Sequence, residues 1–449
     1  LLAGLWRVLP VEMPWLGYLL SLGSLGATGW LATLVARRLG LAGSGWVGAV
    51  CVTLPSLSYW GTGGLEGTFT AALALGLVLL LDRFAADRRL GSWFALAGVL
   101  LAFAAVRPEC PLVLACLWLA EGVFVLRTAL GERAAARAEL RRWLALGLLV
   151  ALSVLPLFYF RHVYFHAWFP HPVMAKDSRF EFGPGLRYVW ESLQFNGLHW
   201  AVTSLAALLA FLWRFARGTP TSRGLRALVA LALAELAFVV GSRGDWMLGG
   251  RFLVPMLPLW VLWAATLLPA SGLRGLRGAA WGTGLVAVNL LLQVQFLHQG
   301  GGSGRSGCIA PRAARAIRAK LTGKGPVPFS NLELGSRLHG RDSFTLQRLL
   351  DIVQRARALQ PEPLVIWSGQ LGMMGYYTTS QFFGQVRFVD LWSLCSNEFL
   401  RCIPAAARSN TAWGNFIRLD QAFKAAHQSK PECAIPLPDI VYNECLDPD

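Results

Sequence analysis

One stretch gathers the groups best suited to hold an anion: Gly241-Ser-Arg-Gly-Asp-Trp-Met-Leu-Gly-Gly-Arg-Phe-Leu-Val-Pro255. Arg243 and Arg251 can clamp a phosphate or diphosphate through paired N–H donors. Asp245 can orient a guanidinium, bind a hydroxyl or take its proton, and Trp246 stands beside it in the same candidate binding set. The same residues also fit a plainer role, as interfacial anchors on a glycine-rich turn. Charges this close to hydrocarbon usually have a partner or a function.

Three other stretches carry chemistry. Arg161 to His199 holds His162, His166, Trp168, Pro170, His171, Pro172, Lys176, Asp177 and Glu181. Its prolines predict an ordered, non-helical crossing. Lys176 can meet a lipid phosphate as a point charge, or simply snorkel to the interface. The histidines lack a metal-binding spacing, so neither a metal nor a cofactor is expected. In Tyr59–Thr68, Glu66 opens an apolar run. A carboxylate there is favoured by the dipole of the helix it starts, or it projects into a cavity and acts on a substrate hydroxyl. In Arg107-Pro108-Glu109, the two charges form a local ion pair or a further set of binding groups.

These stretches are joints between long apolar runs. A span needs about 20 apolar residues. Ten runs are candidates, the fourth of them short: Trp15–Ala36, Gly43–Trp60, Leu65–Phe84, Trp93–Val106, Pro108–Leu126, Trp143–Tyr164, Leu198–Phe215, Leu225–Gly241, Phe252–Pro269 and Ala279–Leu297. The fourth and fifth are read as a hairpin, because only Arg107-Pro108-Glu109 separates them. Hydrophobic residues make up 55% and charged ones 15% of the chain. Mean hydropathy is +0.48. These values exclude an ordinary soluble domain.

Every second joint is basic: Arg37-Arg38, Arg83 to Arg89, Arg127 to Arg142, Arg214 to Arg226, and Arg274 to Arg277. Polytopic membrane proteins keep such joints in the cytoplasm, which places the four chemical stretches outside. The formal charge of +16 then reflects topology facing anionic lipid rather than nucleic acid. Glu121 and Glu235 are the main charges within spans, both expected nearer the inner ends. Leu1 falls outside by the same count, so an upstream helix is expected.

Gln299–Gly307 reads as a flexible linker between a membrane domain, 1–298, and a polar tail, 308–449. Ser343–Leu359 has helical spacing, and Pro363–Trp367 and Gln385–Val389 read as strands. The tail is therefore expected to be a small extracytoplasmic α/β domain. Five of the eight cysteines lie in it, as suits an oxidising compartment. Cys395–Cys402 or Cys433–Cys445 is the expected disulfide, with Cys308 the odd thiol.

The ordered set Gly63-Gly-Leu-Glu-Gly-Thr-Phe69, Arg107-Pro-Glu109, Trp168-Phe-Pro-His-Pro-Val-Met-Ala-Lys176 and Gly244-Asp-Trp-Met-Leu-Gly-Gly-Arg251 resembles the GT-C glycosyltransferases. The likeness is to the group that includes the mycobacterial terminal β-arabinofuranosyltransferase. Gln370-Leu-Gly-Met-Met-Gly-Tyr-Tyr-Thr378, followed by Val386-Arg-Phe-Val-Asp-Leu-Trp392, resembles that group's outer domain. The chain departs from the group's pattern at His171 and Cys110, where Asn and Gly are commoner.

The resemblance implies transfer of a sugar, arabinofuranose for this group, from a polyprenyl-phosphate donor to a glycan or lipid acceptor. Transfer would occur at the outer face of a bacterial plasma membrane, without a nucleotide sugar. One carboxylate would act as general base. The group's usual base lies in a first outer loop upstream of Leu1, which leaves Glu66 and Asp245 as the catalytic candidates here. Lys176, Arg243, Arg251, Arg107, Glu109, His171 and Trp246 are the binding candidates. Two other classes fit the apolar runs: a secondary transporter, and a non-catalytic membrane scaffold with an outer binding domain.

Overall fold

A computed structural model describes residues 13–41, 43–62, 66–86, 90–131, 133–165, 168–169, 182–219, 221–244, 250–267, 276–298, 349–359, 362–368, 382, 384–390 and 440–442. The chain divides into two units: Leu1–Leu157 with Phe180–Leu332, and Phe158–Arg179 with Glu333–Asp449.

The chain is a helical membrane protein. Among the described residues, six helices are long and apolar enough to cross a bilayer: Leu16–Arg38, Gly67–Phe84, Cys110–Leu130, Ala136–Tyr164, Leu198–Ala216 and Arg223–Gly241. Leu90–Val106 and Ala280–Val294 are shorter apolar helices. The remaining two expected spans are interrupted.

Gly43–Trp60 splits into α2 (Ser44–Val52) and α3 (Pro55–Gly61), α1 being Met13–Arg38. Pro55 has no N–H to give and pushes Leu54 out of the helical region, to φ −60° and ψ 132°. The freed backbone groups find side-chain partners. Asn289 donates to Val50 O at 3.1 Å, and Gln293 donates to Thr53 O at 2.7 Å. Ser56 N donates to Asn196 Oδ1 at 3.1 Å. Hydrocarbon supplies no substitute for such partners, which explains an Asn and a Gln in an apolar run.

Phe252–Pro269 is likewise a single 3₁₀ turn, Arg251–Leu253, and a nine-residue helix, Leu257–Ala265. All nine residues of that helix are buried. At 1.5 Å per residue it reaches about 14 Å, too short to span but apt as the core of the bundle.

Ion pairs tie the basic helix ends to one face. Arg38 meets Asp82 at 2.7 Å, and Asp82 accepts from Gly224 N at 3.2 Å. Arg223 meets Glu121 at 3.0 Å and Glu139 at 2.7 Å, and Arg226 meets Glu121 at 3.2 Å. The helices that carry Asp82 and Glu121 begin beside Glu66 and Glu109 respectively, so those two carboxylates lie toward the opposite face.

The consecutive helices Cys110–Gly131 and Arg133–Phe165 are clasped by two indoles. Trp118 and Trp143 stack at 4.6 Å, and each donates its Nε1 proton to the other's carbonyl, at 3.2 and 2.8 Å. Gly122 and Gly147 leave room for them; a Cβ on Gly147 would stand 2.6 Å from Trp118 Nε1. Gly147→Leu should therefore force the rings apart and cost about 1–3 kcal/mol. Thermal unfolding of the detergent-solubilised protein checks this, and an unchanged midpoint would mean the clasp is loose.

The crossing expected to be non-helical contains a helix, Phe182–Asn196. Pro170 and Pro172 lie ahead of it, and Pro184 falls in its first turn, where no N–H is required. Gly185, Tyr188, Val189, Ser192 and Asn196 form its buried stripe, the spacing of an amphipathic helix lying on a bundle.

In the second unit, His162 stacks on Trp168 at 4.1 Å. Leu364–Ser368, Val386–Asp390 and Ile440–Tyr442 form a parallel sheet with Leu364–Ser368 in the centre. Leu364 pairs with Val386, and Ile366 with Ile440. Leu349 and Val353, in a helix covering 349–359, pack on Leu364 and Ile366. Cys308, Cys395, Cys402, Cys433, Cys445 and the motif at 370–378 lie outside the described residues.

Candidate functional site

Four elements bring charged groups together on the face opposite the basic ends. Glu66 precedes Gly67–Ala86, and its carbonyl accepts from Thr70 N at 2.9 Å, so its side chain sits at a helix N-terminus where negative charge is favoured. A Cβ on Gly67 would press on Val254 Cγ1 at 3.1 Å, so the glycine lets this helix approach the Arg251–Leu253 turn. The Glu66 side chain is 39% exposed and lies 3.8 Å from Arg107 Nε.

Arg107 and Glu109 occupy the joint after Leu90–Val106. Their side chains are 4% and 3% exposed, and they meet at 2.6 Å. Burial draws the Arg107 pKa down, but Glu109, then Glu66, then Glu235 push it up and prevail, so it lies above the ordinary arginine value. Glu235 thus acts electrostatically on this joint. It sits in the half of Arg223–Gly241 away from the basic ends, not near them as the sequence suggested. Within the expected span Leu225–Gly241, Glu235 is ten residues from the basic end and six from the other, so position along the helix alone places it there. Arg107 Nη1 and both Glu235 carboxylate oxygens are buried with no hydrogen-bond partner among the described residues.

Phe252 organises the other side. The Arg107 guanidinium lies 5.0 Å from its ring centre and that of Arg251 lies 5.3 Å from it. Its N–H donates to Tyr188 Oη at 3.0 Å. Gly250 adopts a left-handed backbone, and a Cβ there would strike Ser192 Oγ at 2.8 Å. Gly250 therefore allows the turn to press against Phe182–Asn196, whose Asn196 holds the helix break at Ser56.

Arg243 ends Arg223–Gly241 with φ 67°, and Gly244 N closes back on Val239 O at 3.0 Å. This hydrogen bond marks a Schellman stop, whose left-handed position is normally Gly. Holding an L-residue there costs about 1–2 kcal/mol, and such strain concentrates at functional sites. Arg243→Gly is expected to raise stability by about that amount. A lowered unfolding midpoint would instead mean that the arginine's contacts outweigh its strain.

Of the sequence candidates, the structure brings Glu66, Arg107, Glu109 and Arg251 together, with Arg243 at a neighbouring helix end. Asp245, Trp246, His171 and Lys176 lie outside the described residues. Tyr188 and Phe252 escaped the sequence reading, and Glu235 was noticed but placed at the wrong end of its helix. Phe252 adjoins Arg251, and Tyr188 lies on an amphipathic stripe, so a signal existed for both.

The cluster can present a half-exposed carboxylate, Glu66, to a hydroxyl, with Arg251 near the same Phe252 ring as the buried Arg107. Set against protein-family models and against curated proteins, the chain matches none.

Proposed function

We propose that the chain is a polyprenyl-phosphate-dependent glycosyltransferase acting at the outer face of a bacterial plasma membrane. In this reading about ten membrane segments, two of them interrupted, precede an extracytoplasmic α/β domain at 308–449. The observation that carries the proposal is Glu66, half-exposed and 3.8 Å from buried Arg107, with Arg251 near the same Phe252 ring. The ordered motifs shared with the GT-C group support it.

An acceptor oxygen would attack the anomeric carbon as the bond from that carbon to the phosphate oxygen breaks. The polyprenyl phosphate would leave with the electron pair, and Glu66 or Asp245 would take the acceptor proton. Arg251, Arg243 and Lys176 would stabilise the leaving phosphate. Glu109 neutralises Arg107, whose buried guanidinium lies 3.8 Å from Glu66 and would position that carboxylate rather than touch substrate.

Secondary transport is the second reading. It draws on the interruptions in Ser44–Gly61 and Arg251–Ala265, since broken helices commonly build transport sites. Binding of a short-chain polyprenyl phosphate separates the two. The transferase reading expects saturable binding that Arg251→Ala weakens by about 10- to 100-fold, the worth of a charged hydrogen bond. Absence of binding, with substrate flux across vesicles, would favour the transporter.

A further inference from the structure

The basic face holds guanidiniums that the ion-pair network leaves over. Glu121 and Glu139 are engaged by Arg223, Arg226 and Arg142. Among the described residues, no carboxylate lies within ion-pair distance of Arg127, Arg214 or Arg217.

Two of these three lie over aromatic rings. Arg127, near the end of Cys110–Gly131, lies 4.3 Å over Phe215 of the neighbouring helix Leu198–Ala216. It reaches the end of that helix, since a Cβ on Gly218 would stand 3.5 Å from its Nη2. Arg217, the next residue back, lies 3.9 Å over Trp213. A guanidinium stacked by one face keeps its edge donors for a phosphate oxygen.

The depth of this corner identifies the phosphate. The two candidate spans end at Leu130 and Ala216, which sets Arg127 and Arg217 at the level of lipid headgroups. Below them, Val123, Leu126, Leu209 and Leu212 are exposed, as acyl-chain contacts would be. We propose that the Arg127–Arg217 corner binds the headgroup phosphate of an anionic phospholipid. The site is independent of the Glu66–Arg107 cluster and of the chemistry assigned to it.

The test uses the full chain, purified into detergent after incubation in vesicles of phosphatidylcholine with phosphatidylglycerol. Native mass spectrometry counts the retained lipids. Phosphatidylglycerol should be retained over phosphatidylcholine. Arg127→Gln with Arg217→Gln should lower that retention about 30-fold, if each arginine near an anionic headgroup contributes as usual. Arg137→Gln, an exposed arginine elsewhere on the same face, should change it less than about twofold. Should the double variant fail to fold, Arg217→Gln alone, on an exposed side chain, carries the test with about a fivefold loss. Equal retention of the two lipids, or equal loss in Arg137→Gln, would overturn the proposal. Displacement of the lipid by millimolar inorganic phosphate would point to a free anion instead and overturn it equally.

Discussion

Replacing Arg107 with Ala is expected to destabilise the protein by about 3–5 kcal/mol, because it strands a buried carboxylate. Glu109 is 3% exposed, with its partner at 2.6 Å, so removing the guanidinium leaves a buried carboxylate without its counter-charge. The double substitution Arg107→Leu with Glu109→Leu should recover much of the loss, since an apolar pair avoids the cost of burying charge. Unfolding midpoints of the wild type and the two variants decide it. Arg107→Ala within about 0.5 kcal/mol of the wild type would mean that the pair is solvated and the joint is no rigid platform.

The second large effect concerns Glu66. Glu66→Gln keeps size and hydrogen-bonding capacity but removes the basic oxygen. Loss of a general base costs about 10²–10⁴-fold in rate. Stability should barely move, since the side chain is 39% exposed and its contact with Arg107 is long, at 3.8 Å. Donor affinity should also survive, because the phosphate contacts come from other residues. Turnover equal to the wild type would transfer the base role to Asp245, and Asp245→Asn would be the next substitution to measure.

The sequence made one face legible and the other only in part. Alternating basic joints told which helix ends belong together, and Arg38–Asp82 and Arg223–Glu121 hold those ends as pairs. Hydropathy found the long helices but not the interruptions. An apolar run with one proline looks continuous until Leu54 leaves the helical region and Asn289, far along the chain, supplies the missing hydrogen bond.

At the site, Glu66, Arg107, Glu109 and Arg251 were legible because charge beside hydrocarbon is conspicuous. Their juxtaposition around Phe252 was not, since it depends on how deep each helix sits and which way it turns. Glu235 shows the difficulty most plainly: its charge was visible, but its end of the helix was misread. Tyr188 was hidden within a joint whose prolines spoke against the helix that carries it.

The most direct test of the central claim is a transfer assay on the full chain in nanodiscs, with a radiolabelled sugar on a polyprenyl phosphate and a glycan acceptor. The glycosyltransferase account predicts label in the acceptor, equimolar release of polyprenyl phosphate, and loss of both in Glu66→Gln. An intact donor after long incubation across a panel of polyprenyl-linked sugars, together with solute flux in vesicles, would contradict it.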